Sequence, residues 1–341
     1  MKPFVVEKAQ LGDLIDALSK EYEVFGPAQT DKGYYDWQRL DGDRLPEFNN
    51  GVTKSSIKTF FFPQPEVLFE FKARANEPDA FRLKEPQCDS ATTLLFGVRP
   101  CDARSVTLNS MPYANDPYFQ KRVSDTVIIG LLCSEGCSTC FCKWIGGSPT
   151  GKEGMDVAAI ELDDVFFLEP ISEKGQQILE NVAPVRSPLE KEHEAAEHFL
   201  EKAKAQEGTQ DTASTLRSKE LMHLYEAGFW KQVSEPCINC GTCTFLCPTC
   251  YCFDIQDETL RGKGRRIRYW DSCMFPLFTQ HASGHNPRGD KLKRVRNRFM
   301  HKLKYFPDRF GPVSCVGCGR CVRDCPVNID IRQVLRTMLE L

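Results

Sequence analysis

Along the first 182 residues, apolar side chains come in short blocks bounded by Pro and Gly. Thr59 to Phe62 and Val67 to Phe71 read as β-rich runs. Two further blocks, Thr93 to Val98 and Val127 to Leu132, flank a helical stretch. Together they predict a βαβ unit whose strands pair in parallel, within an α/β domain spanning 1–182. Residues 188–206, PLEKEHEAAEHFLEKAKAQ, form a charged, Ala-rich helical pattern. A polar break at GTQDTAST and a second helical stretch ending near Trp230 come next, which predicts a helical linker arm over 183–232. From 233 to 341 the periodicity gives way to Cys, Gly and Pro, as expected of a domain organised around something other than a large apolar core.

A chain of 341 residues is long enough for two or three domains. Its 41% hydrophobic and 27% charged residues exclude disordered and fibrous classes. No apolar run approaches the roughly 18 residues of a membrane span. The N-terminal MKPFVVEKAQLGD shows no export signal, so a cytoplasmic location is expected. Composition departs from average at cysteine, of which there are 17. Without export, and with an odd count, a disulfide framework is a poor explanation, and metal binding or thiol chemistry remains. The cysteines fall into three groups: six from Cys88 to Cys142, seven from Cys237 to Cys273, and four from Cys315 to Cys325.

The spacing C-x2-C-x2-C-x3-C-P occurs twice, as CINCGTCTFLCP at 237–248 and CVGCGRCVRDCP at 315–326. A cubane 4Fe-4S cluster needs four thiolates, and a tight loop can wrap three cysteines around one side of it. In two-cluster ferredoxins the last cysteine of each run serves the other cluster. One set is therefore expected to be Cys237, Cys240, Cys243 and Cys325, and the other Cys315, Cys318, Cys321 and Cys247. Gly241 and Gly319 would let the backbone approach the cluster, and Pro248 and Pro326 turn the chain away. Structural zinc, usually held by two C-x2-C pairs, suits a repeated triple run poorly. Residues 233–341 are thus expected to be a ferredoxin-like domain binding two 4Fe-4S clusters.

Cys101, in FGVRPCDARSV, starts a predicted helix after one strand of the βαβ unit, and Cys133 ends the next strand. Both would emerge at the carboxyl edge of a parallel sheet, where such sheets place ligands. A helix N-terminus also favours a thiolate. With Cys140 and Cys142 they could complete a third four-thiolate set, with Cys137 able to replace one member. The competing reading is a group of partly buried free thiols, which pack as small hydrophobes.

These residues carry a resemblance. GVRPCD at 97–102, DPYF at 116–119, C-x6-C-x-C at 133–142, CINCGTCTFLCPTCYCFDI at 237–255, WDSC at 270–273, GHNPR at 284–288 and CVGCGRCVRDCPV at 315–327 make the chain similar to iron-sulfur β subunits of sulfhydrogenase-type cytoplasmic nickel-iron hydrogenases and to the A subunit of anaerobic sulfite reductase. The resemblance spans most of the chain. It implies an electron-transfer subunit between a flavin-containing NAD(P)H-linked partner and a catalytic partner of hydrogenase, sulfite reductase or heterodisulfide-reductase type. It also implies a third cluster on Cys101, Cys133, Cys140 and Cys142. Cys88 and Cys137 lie outside the matched pattern.

Cys250, Cys252 and Cys273 exceed the twelve thiolates that three cubanes need. They read as a packed thiol cluster, as a ligand set completed by another residue type, or as an exchanging dithiol. The last underlies an alternative function, a disulfide or sulfur reductase. From Arg261 to Lys304 run 13 Lys/Arg against Asp271 and Asp290, a local net of +11 in a chain of net −3. This basic insertion could compensate cluster charge, steer an acidic partner, or be a solvated face. It has too few stacking aromatics to suggest nucleic acid. His281 and His285 read as surface or core residues and not as ligands. There is no G-x-G-x-x-G after a strand, and GGSPTGKEG at 146–154 misses the P-loop spacing, so no flavin or nucleotide is expected in this chain.

Overall fold

The computed structural model describes all residues except 49–50, 73–79, 81, 87–91 and 205–211. Cys88 and the first part of the predicted polar break therefore lie outside the described residues. Eleven strands are present among the described residues: β1 (Phe4–Glu7), β2 (Glu23–Gln29), β3 (Tyr35–Arg39), β4 (Glu66–Lys72), β5 (Leu83–Lys84), β6 (Thr93–Val98), β7 (Thr126–Leu131), β8 (Val157–Glu161), β9 (Val165–Pro170), β10 (Phe253–Leu260) and β11 (Lys263–Trp270).

A seven-stranded mixed sheet runs β1-β9-β8-β7-β6-β2-β3, with β2, β6, β7 and β8 parallel. The expected βαβ unit is its centre. Leu95 pairs with Ile128, and the helix Pro100–Ser110 makes the crossover. Every residue of β7 is buried, and β6 is buried from Leu94 on, so both sheet faces are covered. Proline at the first helical position and extended backbone at Arg99 start the crossover helix directly after the strand, leaving Cys101 in its first turn.

The two short N-terminal runs are placed differently from expectation. Thr59 to Phe62 falls on the short helix Lys58–Phe61, with Phe61 and Phe62 in the core. Four aromatic and polar residues before a proline carry no period, and packing decides their conformation. Val67 to Phe71 is a strand, β4, but it belongs to a second sheet ordered β10-β11-β4-β5, which takes strands from both halves of the sequence. Arg268 on β11 locks that junction. Its Nε donates to Glu66 on β4 at 2.7 Å and its Nη1 to Asp116 at 2.5 Å. Asp116 also caps the helix Pro117–Asp125 through the Phe119 N–H, which gives the DPYF motif a structural purpose. The β10–β11 hairpin turns at Arg261 and Gly262, both at positive φ as a two-residue turn between twisted strands requires.

The predicted arm divides between two cores. Helix Glu190–Lys204 packs Ala196, Phe199 and Leu200 against Phe167 and Val5 of the first sheet. Helix Thr212–Ser218 occupies part of the predicted polar break, because Leu216 is fully buried in the C-terminal core. That core is more apolar than its Cys, Gly and Pro content suggests. It joins Leu216, Leu224, Trp230, Val295, Phe299, Leu303 and Leu335 with Phe141 and Ile145 from the N-terminal half. No helix among the described residues is long and apolar enough to cross a membrane.

Candidate iron-sulfur sites

The two cysteine runs fold alike. Gly241 and Gly319, each before the third cysteine, both sit at φ +76° and open the one-turn helices Thr242–Phe245 and Arg320–Arg323. Two residues earlier, Asn239 and Gly317 also have positive φ, which swings their N–H groups onto the first thiol of each run. Asn239 donates to Cys237 Sγ and Gly317 to Cys315 Sγ, both at 3.4 Å. Glycine at 317 and 319 is further required by close packing. A Cβ on Gly317 would lie 2.5 Å from the Cys142 nitrogen, and one on Gly319 2.4 Å from Thr139 Oγ1. The second run is thus pressed against the 139–142 loop, and Phe141 donates its N–H to the Gly317 carbonyl at 2.8 Å.

Three cavities are ringed by cysteines. The first is lined by Cys237, Cys240 and Cys243 of one run and Cys325 of the other, together with Arg298. The second is lined by Cys315, Cys318 and Cys321 with Cys247, again with Arg298 and with Lys302. Each run therefore brings its last cysteine to the other run's triplet. Cys321 reaches both cavities. The third is lined by Cys101, Cys133, Cys140 and Cys142, and also by Cys137 and Arg99. Cys101 and Cys133 leave the parallel sheet at the same edge, as expected. Cys137, outside the family pattern, stands among them, so five thiols share this place.

The donor chemistry of these cavities suits a multi-iron body. Among the described residues no three Cys, His, Asp or Glu side chains converge closely enough to hold a single ion. The thiols instead surround space. Arg298 is buried between the first two cavities, and its Nε has no hydrogen-bond partner among the described residues. A buried guanidinium that lines both cavities and whose Nε is unanswered fits sites that hold negative charge.

Sequence reasoning offered charge compensation as one use of the basic insertion but did not identify which cations are buried. The basic insertion splits. Arg265 and Arg266 lie exposed on the hairpin, paired with Glu258 and Asp257, while Arg294, Arg298, Lys302 and Lys304 are buried. Lys58 and Arg320, from outside the insertion, join them. Lys58 donates to the carbonyls of Phe245 and Cys250 at 3.2 and 3.1 Å, and its ammonium sits 3.9 Å from the Trp270 ring centre. Burial pulls its pKa down to about 8, partly opposed by the Cys250 and Cys247 thiols. Arg320 makes a two-pronged pair with Asp102 at 2.6 and 2.7 Å, tying the residue after Cys101 to the segment between Cys318 and Cys321.

Of the three remaining thiols, Cys250 lies beside the second cavity and the other two meet each other. Cys250 is hydrogen-bonded to Cys247, and Cys252 to Cys273. The Cys252 thiol is lowered to about 7, chiefly by Cys273, while the same contact and burial push Cys273 well above the usual range. The arrangement fits the packed-thiol reading. His281 and His285 have exposed side chains whose rings touch each other.

Comparison with known proteins places these features. Residues 236–329 match the model of a 4Fe-4S dicluster domain. The chain is 29% identical over 341 aligned residues, covering 96% of each protein, to sulfhydrogenase 2 subunit beta of Pyrococcus furiosus. It is 23% identical over 180 residues to F420-dependent formate dehydrogenase subunit beta of Methanocaldococcus jannaschii, covering 50% of this chain and 38% of that protein. No solved structure matches. The motifs, the dicluster domain and the end-to-end alignment make this chain similar to an iron-sulfur β subunit of a sulfhydrogenase and show a 4Fe-4S dicluster domain over 236–329.

Proposed function

We propose that this chain is an electron-transfer subunit of a cytoplasmic multisubunit oxidoreductase, relaying single electrons between a flavin-containing NAD(P)H-linked subunit and a catalytic redox subunit. In this reading it holds three 4Fe-4S clusters. Cys237, Cys240, Cys243 and Cys325 serve the first, Cys315, Cys318, Cys321 and Cys247 the second, and Cys101, Cys133, Cys140 and Cys142 the third. A cluster so held supplies one-electron oxidation and reduction. The flavin and the two-electron chemistry belong to the partners.

The observation that carries the proposal is that the cysteine-ringed cavities adjoin one another, first to second and second to third. The first and second share Cys321 and Arg298. The second and third meet where Gly317 and Gly319 press on Thr139 to Cys142. Cys240 is exposed at one end, the third cavity's Cys133, Cys137 and Cys140 are partly exposed at the other, and Cys247, Cys315 and Cys318 are buried between them. A series of sites whose ends approach the surface suits a subunit that takes electrons from a donor and passes them to an acceptor. The residues around it do the remaining work. Backbone N–H groups of Asn239, Gly317 and Ile329 orient thiols, and buried cations offset their charge.

The test is anaerobic affinity purification of the tagged chain, followed by electron paramagnetic resonance after adding NAD(P)H. Cluster signals are expected in the complex containing a flavoprotein subunit and not in the isolated chain. Reduction of the isolated chain by NAD(P)H, or no reduction in the complex, would overturn the proposal.

A further inference from the structure

The helix Lys291–Met300, capped by Asp290, does not end at Met300 but widens into a π-turn over His301–Tyr305 and continues as Phe306–Phe310. Such a turn inserts one residue and rotates the rest of the helix by about 100°. Two lysines of this turn, Lys302 and Lys304, are both buried and face different neighbours. Lys304 turns its ammonium to the end of helix Thr212–Ser218, donating to the carbonyls of Leu216, Arg217 and Lys219. Lys302 turns to the second cavity.

Lys302 is 1% exposed. An ammonium has three N–H donors. Those of Lys302 go to Cys247 Sγ at 3.2 Å, Thr249 Oγ1 at 3.0 Å and the Ser314 carbonyl at 3.1 Å. Thr249 in turn donates its hydroxyl to the Ser314 carbonyl at 2.8 Å, which leaves its oxygen free to accept from Lys302. No carboxylate among the described residues pairs with this ammonium, so its countercharge is the cysteine sulfur. Arg298 faces both C-terminal cavities and would act on both together, whereas Lys302 bonds to a thiol of one.

We propose that Lys302 sets the reduction potential of the cluster at the second site, holding that buried middle site easier to reduce than it would otherwise be. The inference rests on the reading that Cys247, Cys315, Cys318 and Cys321 hold a cluster. Reduction adds one electron to a group bonded to Cys247. A fixed, dry positive charge donating to that sulfur favours the reduced form, because the charge is already in place and no water must reorganise around it. The Lys302 proton stays on nitrogen throughout.

The experiment is a potentiometric titration, followed by electron paramagnetic resonance, of the full chain purified anaerobically, with iron counted in every sample. Lys302→Met and Lys302→Gln should each lower the ratio of reduced to oxidised second-site cluster at least tenfold at fixed potential, a shift of about 59 mV for a one-electron couple. Lys302→Arg should retain most of the wild-type potential, and Lys304→Met should leave it unchanged. An unshifted midpoint in the neutral variants at full iron content overturns the role of Lys302 and leaves the cluster reading standing. Equal shifts in Lys302→Arg and Lys302→Met overturn it too, since charge would not be the cause. Loss of second-site iron in both neutral variants assigns Lys302 to assembly and overturns it as well. Absence of a second-site cluster from the wild type would instead remove the reading beneath the proposal.

Discussion

Replacing Asp102 by alanine should cost roughly 3–5 kcal/mol of stability, the expected loss when one partner of a buried ion pair is removed. The Arg320 side chain is 0% exposed and that of Asp102 2%, so no water is at hand to replace the carboxylate. Arg320 would keep its bonds to the Thr53 carbonyl and hydroxyl, at 2.9 and 3.0 Å, but carry an uncompensated charge. The damage should also be chemical. Asp102 follows Cys101 and Arg320 stands between Cys318 and Cys321, so the pair clamps two proposed cluster-binding segments together. Iron should be lost from the second and third sites in the same variant. Urea unfolding of the anaerobic protein together with iron analysis checks both effects. The double replacement Asp102→Leu with Arg320→Met, which leaves no orphaned charge, should recover more than half of the stability. A loss below about 1 kcal/mol in Asp102→Ala would contradict the clamp.

The second large effect concerns which cysteine serves which site. Cys325→Ser should abolish the same cluster signal as Cys240→Ser, although Cys325 belongs to the other sequence run, and Cys247→Ser should behave like Cys318→Ser. The geometric basis is that Cys325 lines the cavity of the first triplet and Cys247 that of the second. Each variant is expected to lose most of one cluster's iron and to leave the other spectrum recognisable. If Cys325→Ser instead silenced the signal that Cys318→Ser silences, each run would hold its own cluster and the crossed assignment would fall.

Much of this arrangement was legible in the sequence, for a physical reason. Thiols three positions apart on a tight loop stay together whatever surrounds them, so the spacing of the two runs carries to the folded state. The βαβ unit was legible because β6 and β7 are apolar enough to be buried on both faces, and that fixed where Cys101 and Cys133 emerge. The features that were not legible depend on neighbours distant in sequence. Lys58, Arg298, Lys302 and Arg320 look like surface residues until the chain closes around thiols and Asp102; Arg298 and Lys302 left a trace in an unbalanced run of positive charge, and Lys58 and Arg320 left none. Thr59 to Phe62 was too short to declare a period. The strand at Val67 to Phe71 gave no sign that its partner lay some two hundred positions away on β11. Cys137 could not be ranked against Cys140 by spacing, and even folded, the five described thiols of the N-terminal half share one cavity.

The central claim, that cysteines are gathered in fours around iron at three sites, is tested most directly by counting iron, zinc and acid-labile sulfide in the wild-type chain purified without oxygen. Three cubanes require roughly twelve irons and twelve labile sulfides per chain, by four of each per cluster. About eight of each would remove the third site and leave the other two. Zinc without labile sulfide would contradict the whole account.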